Sequence, residues 1–368
     1  MKAHLMPLLG TTLRSWRAGS VGSALPSGTV MDTTRSTETQ AVNVTRRKLL
    51  GASLVAAAAG LAAPLAQSAG KHPKASTKGS DMATQVQFHK LPVDGFELFY
   101  REAGPVDAPV LLLLHGFPTS SHMFRDLIPK LADTYRVIAP DLPGFGQTFT
   151  PKGPFAYTFD HLATVIEHFT EALHLDRYAL YIFDYGAPVG LRLARAHPER
   201  VTAIITQNGN AYMDGFSDAW GTLQAYWAQP TPAHREACRD LISRQTIEQF
   251  QYFHGAPRDR VSPDGYELDI AYLARPGADE IQLDLIYDYR TNIAAYPSFH
   301  EYFRTHQPPL LAVWGKNDPA FIPAGALAYR NDIPDAQVHL LDAGHFALET
   351  HSLEIAGYIR DFLSRKLT

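Results

Sequence analysis

The stretch from Tyr178 to Ala194, Tyr-Ala-Leu-Tyr-Ile-Phe-Asp-Tyr-Gly-Ala-Pro-Val-Gly-Leu-Arg-Leu-Ala, leaves the chain little freedom. Its apolar run to Phe183 predicts a buried parallel strand. From Ala187 onward, small and apolar residues recur at helical spacing. Only Asp184, Tyr185 and Gly186 lie between, too few for a loop. A strand turning directly into a helix makes a tight, strained corner and lifts the corner side chain above the sheet edge. The positive end of the helix lies beside it and favours an anion. Asp184 at this corner has two readings. It can cap the following helix, a common position for Asp. Alternatively its carboxylate, with a reference pKa of about 3.9, is already ionised at neutral pH and can displace a leaving group from a saturated carbon.

The 368 residues are 45% hydrophobic with a net charge of −4, enough for one large α/β domain or a domain with an insertion. That balance, without a basic stripe, gives no reason to expect a nucleic-acid partner. Cys238 is the only cysteine, so neither an internal disulfide nor a cysteine metal cage is expected. No spacing resembles H-E-x-x-H, and neither a metal nor a cofactor is implied.

Residues 1–80 read as an export signal and linker. Thr45-Arg46-Arg47-Lys48-Leu49-Leu50 precedes an Ala/Leu run from Gly51 to Leu65 and resembles a twin-arginine signal, with small residues near Ala66-Gln67-Ser68 for cleavage. The run is short and weakly apolar for a membrane span. The expectation is a periplasmic or secreted protein whose mature chain has no stable membrane insertion. The long leader before Arg46 suggests a start at Met31.

From Gln85 an alternating pattern turns at Val93-Asp94-Gly95, predicting an antiparallel edge hairpin. Buried strands are expected at Val110–Leu114, Arg136–Ala139, Tyr178–Phe183 and Val201–Thr206. Helices are expected near Ser121, at Phe159–Leu173 and at Ala187–Ala196. This alternation predicts a mostly parallel sheet covered on both faces. Residues 85–210 form the first part of this core. Residues 211–306 lack strand–helix alternation and are rich in aromatics, predicting a helical insertion that leaves and rejoins one edge of the sheet and caps the Asp184 corner. The core resumes over 307–368, with strands Leu310–Trp314 and Gln337–Leu341 and a closing helix at Leu353–Phe362.

Two other strand ends carry chemistry. Trp314-Gly-Lys-Asn-Asp318-Pro places a carboxylate after one, and Leu341-Asp-Ala-Gly-His345-Phe an imidazole after the other. The order Asp184, Asp318, His345 is that of a nucleophile, an acid and a base on an α/β-hydrolase sheet. From Gln85 to its C-terminus the chain resembles an α/β-hydrolase of the Asp-nucleophile branch, which includes epoxide hydrolases and haloalkane dehalogenases. The likeness is carried by His115-Gly-Phe-Pro, Asp141-Leu-Pro-Gly-Phe-Gly, Asp184-Tyr-Gly, Gly315-Lys-Asn-Asp-Pro and Gly344-His-Phe-Ala-Leu-Glu349. A departure is Ile182, where the corner usually has a small residue; a bulky aliphatic there predicts a looser helix–strand contact.

The resemblance implies two steps. Asp184 attacks carbon to give an ester, and His345, supported by Asp318, activates water to hydrolyse it. The backbone N–H groups of Phe117 and Tyr185 would form the oxyanion hole. His115 reads as a structural loop residue; Glu349, Asp342 and Cys238 have no assigned role. Dehalogenases place Trp after the nucleophile, paired with Trp or Asn after the His-Gly pair; here Tyr185 and Phe117 stand instead. Epoxide opening needs an acid, and Tyr287-Asp-Tyr289-Arg290-Thr-Asn292 is similar to the segment carrying a ring-opening tyrosine, which points to Tyr289. A second ring-opening tyrosine would fall in Leu223-Gln-Ala-Tyr226-Trp227, at Tyr226 or, in another register, at Leu223, which would leave a single phenol to protonate the oxygen; Tyr226 and Trp227 are also candidate substrate-binding residues. The expected partner is a small apolar organic substrate with water. An epoxide hydrolase-like enzyme, a dehalogenase using Trp220 or Trp227 as halide donor, and a non-catalytic ligand receptor remain open, with ester or lactone hydrolysis a weaker fourth.

Overall fold

The computed structural model describes residues 84–148, 151 and 153–366. The expected export signal and the Met31 start lie outside them. Eight strands form one sheet in the order β1-β2-β4-β3-β5-β6-β7-β8. They are β1 (Gln87–Val93), β2 (Phe96–Ala103), β3 (Val110–Leu114), β4 (Arg136–Pro140), β5 (Tyr178–Phe183), β6 (Val201–Gln207), β7 (Leu310–Gly315) and β8 (Gln337–Leu341). β2 runs antiparallel to β1 and β4; the remaining pairs are parallel. This is an α/β-hydrolase sheet, and the strand its sequence marks lies at its centre. Every residue of β5 is buried, as befits a strand with neighbours on both edges and helices on both faces.

The main core helices are α1 (Phe159–Ala172), α2 (Gly186–Ala196) and, after the cap, α7 (Ala347–Ser364). In α1 the Thr158 hydroxyl accepts from the His161 N–H at 3.2 Å, an N-cap. The α1 residues Phe159, Leu162, Val165, Ile166 and Phe169 are buried at the i, i+3, i+7 spacing of one helical face. The helix expected near Ser121 is instead a single 3₁₀ turn, Ser121–Phe124, followed by a short helix, Ile128–Leu131. Pro129 lacks the N–H a continuous helix would need, and it starts the second turn instead. The closing helix begins at Ala347, six residues before Leu353, and is irregular at His351. Ala347, Leu348 and Thr350 are buried, so packing draws the first turn into the helix.

The contact between β5 and α2 is close despite Ile182. A Cβ at Gly190 would come 2.5 Å from Ile182 Cγ2. The helix side gives up its side chain where the strand side carries a bulky one.

Between β6 and β7 the chain builds the cap, whose longer helices are α3 (Gly221–Ala228), α4 (Pro263–Leu273), α5 (Ala278–Asp288) and α6 (Arg290–His306). The expected exit and return at one sheet edge is corrected here. β6 and β7 are parallel neighbours, so the chain must return to the opposite end of the sheet. The 17 residues of α6, about 25 Å at 1.5 Å per residue, supply that crossing. Among the described residues no helix is long and apolar enough to cross a membrane.

Candidate active site

Asp184 sits between β5 and α2 with φ of +46°. This left-handed conformation costs a non-glycine residue about 1 kcal/mol or more and is tolerated where surrounding packing fixes it. The capping reading fails on geometry. No side chain caps α2, and Asp184 Oδ1 instead accepts the Phe117 N–H at 2.6 Å. The Tyr185 N–H also bonds this carboxylate. A side chain at Gly116 would fill that space, since a Cβ there would lie 2.3 Å from Asp184 Oδ1.

His345 follows β8 and stands opposite. Its Nε2 is 3.9 Å from Asp184 Oδ2, beyond hydrogen-bond distance, so the imidazole is not tied up by the carboxylate. Its Nδ1–H donates to Asp318 Oδ2 at 2.7 Å. Asp318 is saturated with donors. Oδ1 takes the N–H groups of Ala320 at 2.7 Å and Phe321 at 3.1 Å, while Oδ2 also takes Asn208 Nδ2 at 2.6 Å. A carboxylate held this way fixes the imidazole's tautomer and orientation.

Electrostatics follow from burial. Loss of water pushes the Asp184 carboxyl up to about 6, against the downward pull of His345 and of the N–H groups of Phe117 and Tyr185. Burial alone would lower His345, but the charge and hydrogen bond of Asp318, with Asp184 behind, leave it above the ordinary imidazole value.

Asn208 was not singled out as a site residue by sequence. It has φ of +46°, its Oδ1 accepts the Gly315 N–H at 2.9 Å, and its amide holds Asp318. The available signal was an Asn-Gly pair at a strand end, where Asn tolerates the left-handed region. His115 ties two loops together: its Nε2 accepts the Leu142 N–H at 2.9 Å and its Nδ1 faces Gly116 O at 3.1 Å. Glu349 is gripped by Arg125 through two bonds of 2.9 and 2.7 Å.

A cavity of about 270 Å³ opens on Asp184 and His345. Phe117, Tyr185 and Phe321 form core walls; Trp220, Leu223, Leu241, Phe250 and Ile286 close it from the cap, and Asp240, Thr246 and Gln251 add polar groups. The Gln251 Oε1 is buried without a partner. Leu223 occupies the wall expected for Tyr226, whose hydroxyl instead accepts from Arg235 at 3.3 Å and whose ring packs on Tyr287. Trp227 lies behind the wall, stacked on Tyr289 at 5.8 Å. The substrate contacts expected of Tyr226 and Trp227 are therefore not formed by this cavity; short cap helices do not reveal from sequence which face turns inward. Tyr289 is buried, touches the wall residues Trp220 and Tyr185, and pairs its hydroxyl with Tyr296; it does not line the cavity. Both cap indoles are occupied: Trp220 Nε1 donates to Ala320 O at 3.0 Å and Trp227 Nε1 to Ile286 O at 2.7 Å. Among the described residues no cluster of three or more His, Cys, Asp or Glu is placed to hold a metal ion.

Comparison with known proteins gives a consistent picture. Residues 109–352 match the family model described as alpha/beta hydrolase fold. An uncharacterized hydrolase of Saccharomyces cerevisiae is 48% identical over 275 residues, 73% of this chain and 94% of that protein. A haloalkane dehalogenase of Mycobacterium marinum is 30% identical over 268 residues, 70% of this chain and 86% of that protein. Among solved structures, an epoxide hydrolase, CorEH, superposes with a TM-score of 0.64 at 18% identity, covering 76% of this chain and 99% of its own. The haloalkane dehalogenase DbeA from Bradyrhizobium elkani superposes with a TM-score of 0.62 at 24% identity, covering 76% and 100%.

Proposed function

The chain belongs to the alpha/beta hydrolase fold family, in its Asp-nucleophile branch, and on that premise we propose that it adds water to an epoxide through a covalent ester on Asp184. An ionised carboxylate attacks the epoxide carbon, the carbon–oxygen bond breaks, and the ring oxygen leaves as an alkoxide that takes up a proton. His345 then removes a proton from water, which attacks the Asp184 carbonyl carbon. The N–H groups of Phe117 and Tyr185 stabilise the oxyanion that develops on Asp184 itself; losing one such donor typically raises a barrier by about 3 kcal/mol. Collapse releases the diol and restores the carboxylate.

One observation carries the choice of electrophile: both cap indole N–H groups are spent on backbone carbonyls. A departing halide is usually stabilised by such donors, and Phe117 offers only a phenyl ring in their place. The dehalogenase reading keeps the support of the Mycobacterium marinum relative, and halide release from bromoalkanes would establish it.

Single turnover of an epoxide panel in ¹⁸O-water tests the proposal. The first diol should carry unlabelled oxygen drawn from Asp184, with the label left in the Asp184 peptide. Intact-mass measurement of His345→Gln soaked with the same epoxides should find the trapped ester. Label in the first diol, or a bare Asp184 peptide in the variant across the panel, refutes the mechanism.

A further inference from the structure

Epoxide opening leaves an alkoxide, and the proposed function names no group that protonates it. We propose that the Tyr185 hydroxyl is this acid, so that the residue after the nucleophile serves both oxygens of the reaction: its backbone N–H the carboxylate, its side chain the leaving oxygen. The inference rests on the epoxide reading above.

Three observations converge on it. Tyr185 is the only tyrosine lining the cavity with Asp184 and His345 among the described residues. Its hydroxyl has no hydrogen-bond partner among the described residues, whereas the cap phenols are engaged, Tyr289 with Tyr296 and Tyr226 with Arg235. A cavity-wall phenol that is not bonded to the protein keeps its proton available for a ligand oxygen. Finally, the ring cannot swing away. Phe159 packs edge-on at 5.0 Å, Phe117 lies at 5.9 Å, Phe145 at 6.3 Å and Tyr289 at 5.9 Å. Burial, with Asp184 nearby, holds the phenol well above its ordinary titration range, so it is protonated at neutral pH.

The balance closes. As the carbon–oxygen bond breaks, its electron pair goes to the leaving oxygen, which takes the Tyr185 proton and leaves a phenolate. Hydrolysis of the ester by water gives the carboxylate, the alcohol and one net proton, and that proton returns to the phenolate. The sequence alone placed this role on Tyr289, because phenols of the cap are not visibly paired in a sequence.

Stopped-flow single turnover with styrene oxide tests the assignment in a His345→Gln background, where the ester accumulates. With Tyr185 intact, ester formation should coincide with a transient tyrosinate absorbance. Tyr185→Phe should abolish that signal and slow ester formation about 100-fold or more, the usual range for a lost general acid, while the adduct still forms on Asp184. A difluorotyrosine at position 185 keeps the fold if the Phe variant does not. It should move the alkaline limb of the ester-formation profile to lower pH. Ester formation at the parent rate in Tyr185→Phe, an unmoved limb, or a tyrosinate signal lost only in Tyr289→Phe overturns the proposal. Absence of any adduct with Tyr185 intact instead refutes the covalent epoxide mechanism itself.

Discussion

Removing the Asn208 side chain should show how much of the fold's stability is invested in holding the charge pair. The amide donates to the Asp318 carboxylate at 2.6 Å, and its oxygen accepts the Gly315 N–H at 2.9 Å. A hydrogen bond to a charged group is worth about 1.5–3 kcal/mol, and leaving the buried Gly315 N–H unsatisfied costs about 1–3 kcal/mol more. Asn208→Ala and Asn208→Gly both lose these bonds, so each should lose about 3–5 kcal/mol. They differ in the backbone. At φ of +46° Ala carries a left-handed penalty of about 1–2 kcal/mol, partly offset because Gly gives the unfolded chain about 0.4–1 kcal/mol of extra freedom. Asn208→Gly should therefore be the more stable variant by about 0.5–1 kcal/mol. Urea unfolding followed by far-ultraviolet circular dichroism gives both differences from the midpoints. In single turnover, ester hydrolysis should slow more than ester formation, because in the proposed mechanism only hydrolysis uses the His345–Asp318 pair. Two variants within about 1 kcal/mol of the parent, or an Ala variant more stable than Gly, would refute the bookkeeping at this site.

Titration should separate the two steps from activity alone. In the proposed mechanism the Asp184 carboxyl, pushed up to about 6, attacks only when ionised, so ester formation measured in single turnover should fall as pH drops through about 6. His345 titrates above the ordinary imidazole value and works only when neutral, so ester hydrolysis should also fall on the acid side; a rate for either step that rises toward acid contradicts these assignments. Asp269 is fully buried, accepts the Tyr252 hydroxyl at 2.5 Å, and is raised to about 7 by burial. A raised carboxyl makes the folded state bind the extra proton, so stability falls as pH rises from the unfolded value of 3.8 to about 7. Asp269→Asn should therefore gain on the parent above neutrality, by at most about 4 kcal/mol at 1.36 kcal/mol per pH unit, and the advantage should disappear in mild acid; thermal melts at both pH values decide it. Gly190→Ala should destabilise by about 1–3 kcal/mol through overpacking against Ile182, and the same change made in an Ile182→Ala background should cost less, read from urea midpoints as a double-mutant cycle; an unchanged cost would place the strain elsewhere.

The central sheet was legible because parallel strands buried on both faces must be written as apolar runs: Tyr178–Phe183, Val110–Leu114 and Leu310–Trp314 all fall inside observed strands. The positions of Asp184, Asp318 and His345 were readable for the same reason, since strand ends are conspicuous once the strands are. The cap was not. The helices that close the cavity are short, and which of Leu223, Tyr226 or Trp227 turns inward depends on packing between elements. The early start of α7 and the broken helix after Ser121 depend on burial of a first turn and on one proline, terms that spacing alone does not weigh.

Gln207 and Asn208 are neighbours at the end of β6, and the first holds the carbonyl of His345 at 3.1 Å while the second holds the Asp318 carboxylate. Two loops arriving from different strands are thus referenced to a single point at the end of an interior strand of the sheet. The cap that follows Asn208 contributes neither of these two bonds. What the cavity admits is thus shaped largely by cap side chains, while the register of the imidazole and its carboxylate is set from the sheet.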